Sequence, residues 1–249
     1  KDLKSIKKEY GTERKTVLDN IEIKKIVKEK EIVELVVLID NFGYVHSITK
    51  AVYEKNKEAV LNDFKHVILT DSSNKVLLFT NTGMVHSVKV EDIPIGALRL
   101  KGEPLDNLSN YDSSKELIVL VEATNKAEEK QLIVLTSDGF IKKMSLEEVN
   151  TSRKTVSYAN LSNEEVFVPF VEVEKEEPLF IETAKGYFAK WDVSGLEEKK
   201  RNARGVTAVK FVEDSDYVKK AAFLGSLSGQ KNDKIKLTTK AIKVAKLRK

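Results

Sequence analysis

Four stretches of the chain repeat one pattern, and that repeat limits the fold more than any single motif does. They are "LVVLIDNFGYVHSI" (Leu35 to Ile48), "VLLFTNTGMVHSV" (Val76 to Val88), "QLIVLTSDGFIKKMSLEEV" (Gln131 to Val149) and "PLFIETAKGYFAKW" (Pro178 to Trp191). Each runs from an apolar strand through a short polar turn ending in glycine to an aromatic residue or Met and a second strand. Gly43, Gly83, Gly139 and Gly186 stand 40, 56 and 47 residues apart. A fainter fifth copy, "IKLTTKAIKVAKL" (Ile235 to Leu247), puts Ala241 where the next glycine belongs.

Glycine recurs there for a physical reason: a tight hairpin needs positive φ at or near that point, which costs other residues energy. The flanks are rich in Val, Ile, Leu, Phe and Thr, as strands prefer. Longer connections with some strand character separate the hairpins. Repeats of roughly 40 to 50 residues, each worth about four strands, predict an all-β, propeller-like ring of about five blades. The fifth copy would close the ring, because an isolated edge strand invites aggregation. The opening "KDLKSIKKEY" reads as the charged end of a helix stopped at Gly11, in a chain that begins mid-protein with no signal peptide.

Composition removes several kinds of chemistry. There is no cysteine, so disulfides, thiolate catalysis and Cys-type zinc sites are excluded. No stretch approaches the ~20 apolar residues of a membrane span. The net charge is +4, yet residues 231–249 alone hold about +7, which leaves the first 230 residues at about −3. A polyanion would therefore be met by patches and not by a uniformly basic surface. Lysine far outnumbers arginine, which suits phosphate contact better than bidentate reading of bases.

Several segments resemble the C-terminal domain of the DNA-cleaving (A-type) component of bacterial type II topoisomerases, gyrase and topoisomerase IV. "LKSIKKEYGTERKT" (Leu3 to Thr16) is similar to the junction where that family's long helix leaves the DNA-breaking core. "FGYVHS" and "DGFIKK" match its glycine–aromatic hairpins. "LLFTNTGMVHSVKVEDIP" (Leu77 to Pro94) resembles its strand–turn–strand with Glu-Ile-Pro, and "ARGVTAVKFVEDSDYV" (Ala203 to Val218) its Arg-Gly-Val linker and closing Asp-x-Val. The resemblance implies a β-pinwheel whose blades exchange strands and whose basic rim bends or wraps duplex DNA. It implies residues 1–30 as the junction with its short helical remnant and 31–249 as the DNA-binding pinwheel. Its partners would be double-stranded DNA, the remainder of the DNA-cleaving component and the ATPase component of the topoisomerase, in a cytoplasmic, nucleoid-associated setting. Gyrase carries a Gln-Arg-Arg-Gly-Gly-x-Gly box in its first blade. The equivalent "KAVYEKNKEAVLND" (Lys50 to Asp63) has Lys55 and Lys57 but no Arg-Arg-Gly-Gly, as in topoisomerase IV. No catalytic tyrosine domain is expected in this chain, so neither catalysis nor a cofactor is expected of it alone.

A basic rim attracts phosphates by releasing counterions. The candidates are Lys142, Lys143 and Lys190 in the hairpins, and Arg99, Lys101, Arg153, Lys154, Lys199, Lys200, Arg201 and Arg204 in the connections, with Lys55 and Lys57. Lys142-Lys143 occupies a repeated hairpin position, shared with His46-Ser47, His86-Ser87 and Ala189-Lys190, and is therefore a blade feature and not a catalytic one. Any single cluster is equally explained as solvated surface; recurrence is what favours a rim. His46 and His86, as repeat equivalents, belong to different blades, so the three histidines read as surface or partly packed imidazoles and not as a metal site. "GSLSG" (Gly225 to Gly229) places Leu227 where a nucleophile elbow needs serine. The pairs Glu147-Glu148 and Glu197-Glu198 read as solvated turns, and Trp191 as core. The basic tail reads either as a blade built on Ile235, Leu237, Ile242, Val244 and Leu247 or as a flexible cationic arm. Two rival functions stay open: a gyrase domain with a degenerate box, and a protein-interaction propeller.

Overall fold

A computed structural model of the chain describes residues 2–12, 31–125, 127–161, 167–172, 178–223, 237–238, 242–243 and 245–246. The chain divides into two compact units, Lys1–Glu31 and Ile32–Lys249. In the first, α1 (Asp2–Tyr10) carries Asp2 in its first turn and Lys7 and Lys8 in its last, matching the helix dipole. It stops at Gly11, where a Cβ would lie 2.2 Å from the Lys7 carbonyl oxygen.

The second unit is a series of hairpins. The first is β1 (Glu34–Ile39) and β2 (Tyr44–Thr49), followed by α2 (Lys50–Lys55), α3 (Lys57–Asp63) and β3 (His66–Asp71). Next come the hairpin β4 (Lys75–Thr80) and β5 (Met84–Lys89), the two-residue β6 (Glu103–Pro104), α4 (Leu105–Leu108) and β7 (Ile118–Ala123). The third hairpin is β8 (Gln131–Thr136) and β9 (Phe140–Ser145), then β10 (Thr155–Ser157) and β11 (Phe167–Glu172). The fourth is β12 (Leu179–Thr183) and β13 (Tyr187–Trp191), then β14 (Val206–Thr207), β15 (Val209–Lys210) and β16 (Val218–Phe223). The tail contributes β17 (Leu237–Thr238), β18 (Ile242–Lys243) and β19 (Ala245–Lys246).

The pairing follows one rule. The sheet orders are β3-β1-β2-β6, β10-β5-β4-β7, β11-β8-β9-β14 and β16-β12-β13-β17. In every sheet the hairpin's first strand pairs with a strand that follows it in the chain. In the first three sheets its second strand pairs antiparallel with a short strand delivered only after the next hairpin has been made, whereas in the fourth β13 takes β17 in parallel. Blade two thus lends β6 to blade one, blade three lends β10 to blade two, and blade four lends β14 to blade three. In the tail, β17 and β19 both pair with β13, while β18 pairs with β15. Of the described strands of the fifth repeat copy, β17 and β19 therefore add to the fourth sheet and β18 makes a separate two-stranded sheet with β15; Ala241 and "GSLSG" lie outside the described residues.

The apolar runs "LVVLI", "VLLF" and "LIVL" are continuous, not alternating, because blades stack on one another and bury both strand faces. Leu35, Val37 and Ile39 pack with Val76, Leu78, Val88 and Val121 between blades one and two. Leu77, Phe79 and Val85 pack with Leu132, Val134 and Met144 between blades two and three. Ile133, Leu135 and Ile141 pack with Leu179, Ile181 and Trp191 between blades three and four, so Trp191 is core. The outer face of blade one, Val36, Leu38 and Ile48, is covered by Tyr53 of α2 and Val60 of α3. Each such fully buried Leu, Val or Phe contributes about 1.5–3 kcal/mol relative to exposure. β7 lies close to both β3 and β11, so that edge of each of these sheets lies inward and the lent strands β6, β10 and β14 lie at the opposite, outward edge.

Candidate nucleic-acid interface

The lent strands enter the blades through close backbone approaches. Gly102 (φ +77°) and Gly205 (φ +97°) precede β6 and β14, and a Cβ on either would lie 2.4 Å from the carbonyl oxygen of Val45 or Ile141. Only glycine fits both the conformation and the space. In blade two, Thr155 occupies this register, opposite His86. The residue just before it is a cation every time: Lys101, Lys154 and Arg204, all exposed. Two of them sit on the aromatic residue that follows the turn glycine. Lys101 Nζ lies 4.7 Å from the Tyr44 ring centroid and the Arg204 guanidinium 4.1 Å from that of Phe140. Each such contact is worth about 0.5–1 kcal/mol at an exposed site and limits where the cation can swing. Arg204 also pairs with Asp138 at 2.7 Å, whereas the residues at the Asp138 position in blades one and two are Phe42 and Thr82.

Of the other candidates, Arg99, Arg153 and Lys200 are exposed in the same three connections, a few residues or fewer from these cations. Arg201 and Lys199 are half-buried; Lys199 pairs with Glu197 at 2.9 Å. Lys143 on β9 and Lys190 on β13 are half-buried strand residues, and the Lys143 carbonyl accepts the Lys199 N–H at 2.8 Å. Lys55 and Lys57 are exposed on α2 and α3, over the outer face of blade one. The three connections thus bring together Arg99 with Lys101, Arg153 with Lys154, and Lys200 with Arg204. The pattern Lys-Gly and Arg-Gly at 101–102 and 204–205 was visible in the sequence. The aromatic seats, and the carboxylate beside Arg204, were not, because they depend on strand exchange.

Lys142 is placed differently from the expected rim position. Its side chain is 2% exposed and donates to the carbonyl oxygens of Arg201 (2.6 Å) and Ala203 (3.0 Å). Burial lowers its pKa to about 8, with the Glu148 carboxylate opposing the shift. The repeat equivalents do similar work. His46, also buried, hydrogen-bonds the backbone of Leu98, and burial lowers its pKa. His86, buried as well, lies 3.1 Å from both Thr155 Oγ1 and Glu116 Oε2. These polar groups therefore tie incoming connections to their blades, which is why they are more enclosed than imidazoles of a solvated surface. His66 is half-buried, and burial, with Lys65 nearby, lowers its pKa to about 4. Among the described residues no three His, Asp or Glu side chains converge as a metal site would require.

Hairpin blades that lend one another their outward strand define a β-pinwheel. A family model described as DNA gyrase C-terminal domain, beta-propeller, matches residues 74–112, 130–168 and 177–223, just over half the chain, and the chain belongs to that family. It is 24% identical over 95% of its length to the DNA gyrase A protein of Metamycoplasma arthritidis, and 27% identical over 82% to that of Clostridium acetobutylicum. It spans only 28% and 26% of those proteins. Its fold is similar to that of the C-terminal domain of DNA topoisomerase IV, with TM-score 0.68 and 21% identity, covering 78% of this chain and 62% of that one. It is similar also to the E. coli ParC C-terminal domain, with TM-score 0.62 and 15% identity, covering 77% of this chain and 80% of that one. Among the described residues no helix is long and apolar enough to cross a membrane.

Proposed function

We propose that this chain binds and bends duplex DNA without sequence specificity, as the C-terminal part of the DNA-cleaving component of a cytoplasmic, topoisomerase IV-like type II topoisomerase. It would present the bent duplex to a cleavage core elsewhere in that component, with the ATPase component of the enzyme the other partner, and would have no catalysis of its own. The observation that carries this reading is the recurrence of Lys101, Lys154 and Arg204 at one register on the outward edge of three successive blades. Cations spaced along an edge neutralise successive phosphates, and each neutralised phosphate releases counterions. Bending 20–30 base pairs by 40–90° costs of order 1–6 kcal/mol, which several such contacts offset. Direct base reading is not expected, since α2, α3 and α4 have 6, 7 and 4 residues, too short for a recognition helix.

A second reading, gyrase-like wrapping, is favoured by the names of the curated relatives. Against it stands "KAVYEKNKEAVLND", which folds as α2 and α3 and has no Arg-Arg-Gly-Gly. The test is a salt titration of binding to linear duplex with an end-to-end energy-transfer readout, followed by ligation of nicked circles on the protein. Salt-sensitive binding with bending and no change in linking number supports the proposal. A shifted linking number transfers the chain to the wrapping reading. Absence of binding at low salt turns it into a protein-interaction propeller.

A further inference from the structure

We infer that Phe42 is a wedge that enters the base stack of the duplex held by blade one; the inference rests on the DNA-binding reading above. Phe42 sits at the tip of the first hairpin and is 87% exposed, the most exposed large apolar side chain described in its unit. The fold does not require it there. Asp40 and Gly43 make the turn, and the equivalent positions before Gly83, Gly139 and Gly186 hold Thr82, Asp138 and Lys185. The tip is nevertheless held firmly. Asp40 Oδ1 accepts the N–H groups of Phe42 (2.8 Å) and Tyr44 (2.9 Å), and the Gly43 carbonyl accepts the Leu105 N–H just beyond β6 at 3.0 Å. Two residues on, Tyr44 seats Lys101, with exposed Arg99 in the same connection.

Blade one thus offers phosphate-binding cations and a projecting aromatic ring on one small surface. An apolar side chain beside a gripped backbone can insert between base pairs and kink the duplex. Insertion costs least at flexible pyrimidine–purine steps, so this wedge would favour TA and CA/TG steps over A-tracts. It would also locate the bend, which phosphate contacts alone do not do.

The experiment uses the chain with 30-base-pair duplexes carrying 2-aminopurine at one TA step or inside an A-tract, and compares Phe42→Ala with Phe42→Leu. Fluorescence, energy-transfer bending and affinity at several salt concentrations are read together. The expected result is a several-fold fluorescence rise at the TA step with the unaltered chain and with Phe42→Leu. Phe42→Ala is expected to lose that rise and most of the bend, to bind about three- to tenfold more weakly, and to keep the salt slope. A bend and fluorescence unchanged in Phe42→Ala would overturn the wedge while leaving DNA binding in place. No binding by the unaltered chain would instead remove the DNA-binding reading, and the wedge with it.

Discussion

Lys142 Nζ lies 2.6 Å from the carbonyl oxygen of Arg201, so a hairpin lysine of blade three holds a segment 59 residues further along the chain. Replacing Lys142 with Met keeps most of the side-chain volume but leaves the carbonyls of Arg201 and Ala203 without this donor. An unmet buried polar group costs about 1–3 kcal/mol. Urea denaturation of Lys142→Met is expected to show a loss of that order, with DNA affinity per folded molecule unchanged. In contrast, Lys154→Glu is expected to weaken DNA binding and flatten its salt slope with little effect on stability.

The same lysine makes stability depend on pH in an unusual direction. Its folded pKa of about 8 lies below the ordinary lysine value near 10.4, so between those pH values the unfolded chain binds more protons. Stability contributed at this position therefore rises as pH climbs through that window, because the cost of burying charge is relieved. Relative to Lys142→Met, the unaltered chain is expected to gain of order 1–3 kcal/mol between pH 7 and pH 10. A flat difference across that range would show that the two carbonyls hold the ammonium charged.

In blade three, Asp138 pairs with Arg204 at 2.7 Å and, on the proposed DNA-binding reading, would compete with phosphate for it. The pair is partly exposed, so its own contribution to stability is at most about 1 kcal/mol. Asp138→Asn removes a negative charge from the outward edge and loosens the claim on the guanidinium, while Phe140 still seats it. DNA affinity is expected to rise, with log K falling more steeply against log salt by up to about 0.9, the increment for one phosphate. Affinity that stays the same would mean the duplex does not run along blade three.

The repeat made the hairpins and their glycine turns readable from sequence, because strand propensity and positive φ are local properties. Gly43, Gly83, Gly139 and Gly186 all adopt positive φ, as expected. Strand exchange was not readable in detail. β6 and β14 are two residues long, and their register follows from close approaches at Gly102 and Gly205 to strands more than fifty residues earlier in sequence. The role of Lys142 was hidden for the same reason: "DGFIKK" shows two adjacent lysines but not that one faces the incoming connection. For Arg204 the charge was legible, while its neighbours Phe140 and Asp138 came from another blade.

The glycines at the lent strands and at the hairpin tips should respond differently to alanine. Gly186→Ala meets nothing within 4 Å and pays only for its positive φ, roughly 1–2 kcal/mol. Gly205→Ala bears the same conformational cost and also drives a Cβ toward the Ile141 carbonyl oxygen at 2.4 Å. That contact is with backbone, so β14 must lift from β9. Gly205→Ala is expected to be the more destabilising in urea, and hydrogen exchange at β14 and β9 should rise in that variant alone. Equal losses would mean that β14 adjusts without leaving its blade.

Blade two offers an acid-sensitive counterpart. Burial pushes the Glu116 carboxyl up, but hydrogen bonds from Thr80, His86 and Thr82 outweigh it and hold the group below its ordinary value. Glu116 Oε2 lies 3.0 Å from Thr82 Oγ1 and 3.1 Å from His86 Nε2, and His86 reaches Thr155 on the lent strand β10. A carboxyl with a depressed folded pKa adds stability above its unfolded value near 4.3, and that stability disappears as pH falls through the folded pKa. Glu116→Gln is therefore expected to be less stable than the unaltered chain at pH 6, with the gap narrowing as pH approaches 3. Because β10 is fastened to blade two through His86 and Thr155, the same acidification should increase hydrogen exchange at Val156 before it does so at Val206 in β14. Simultaneous loss of protection at both residues would place the acid-labile group elsewhere in the unit.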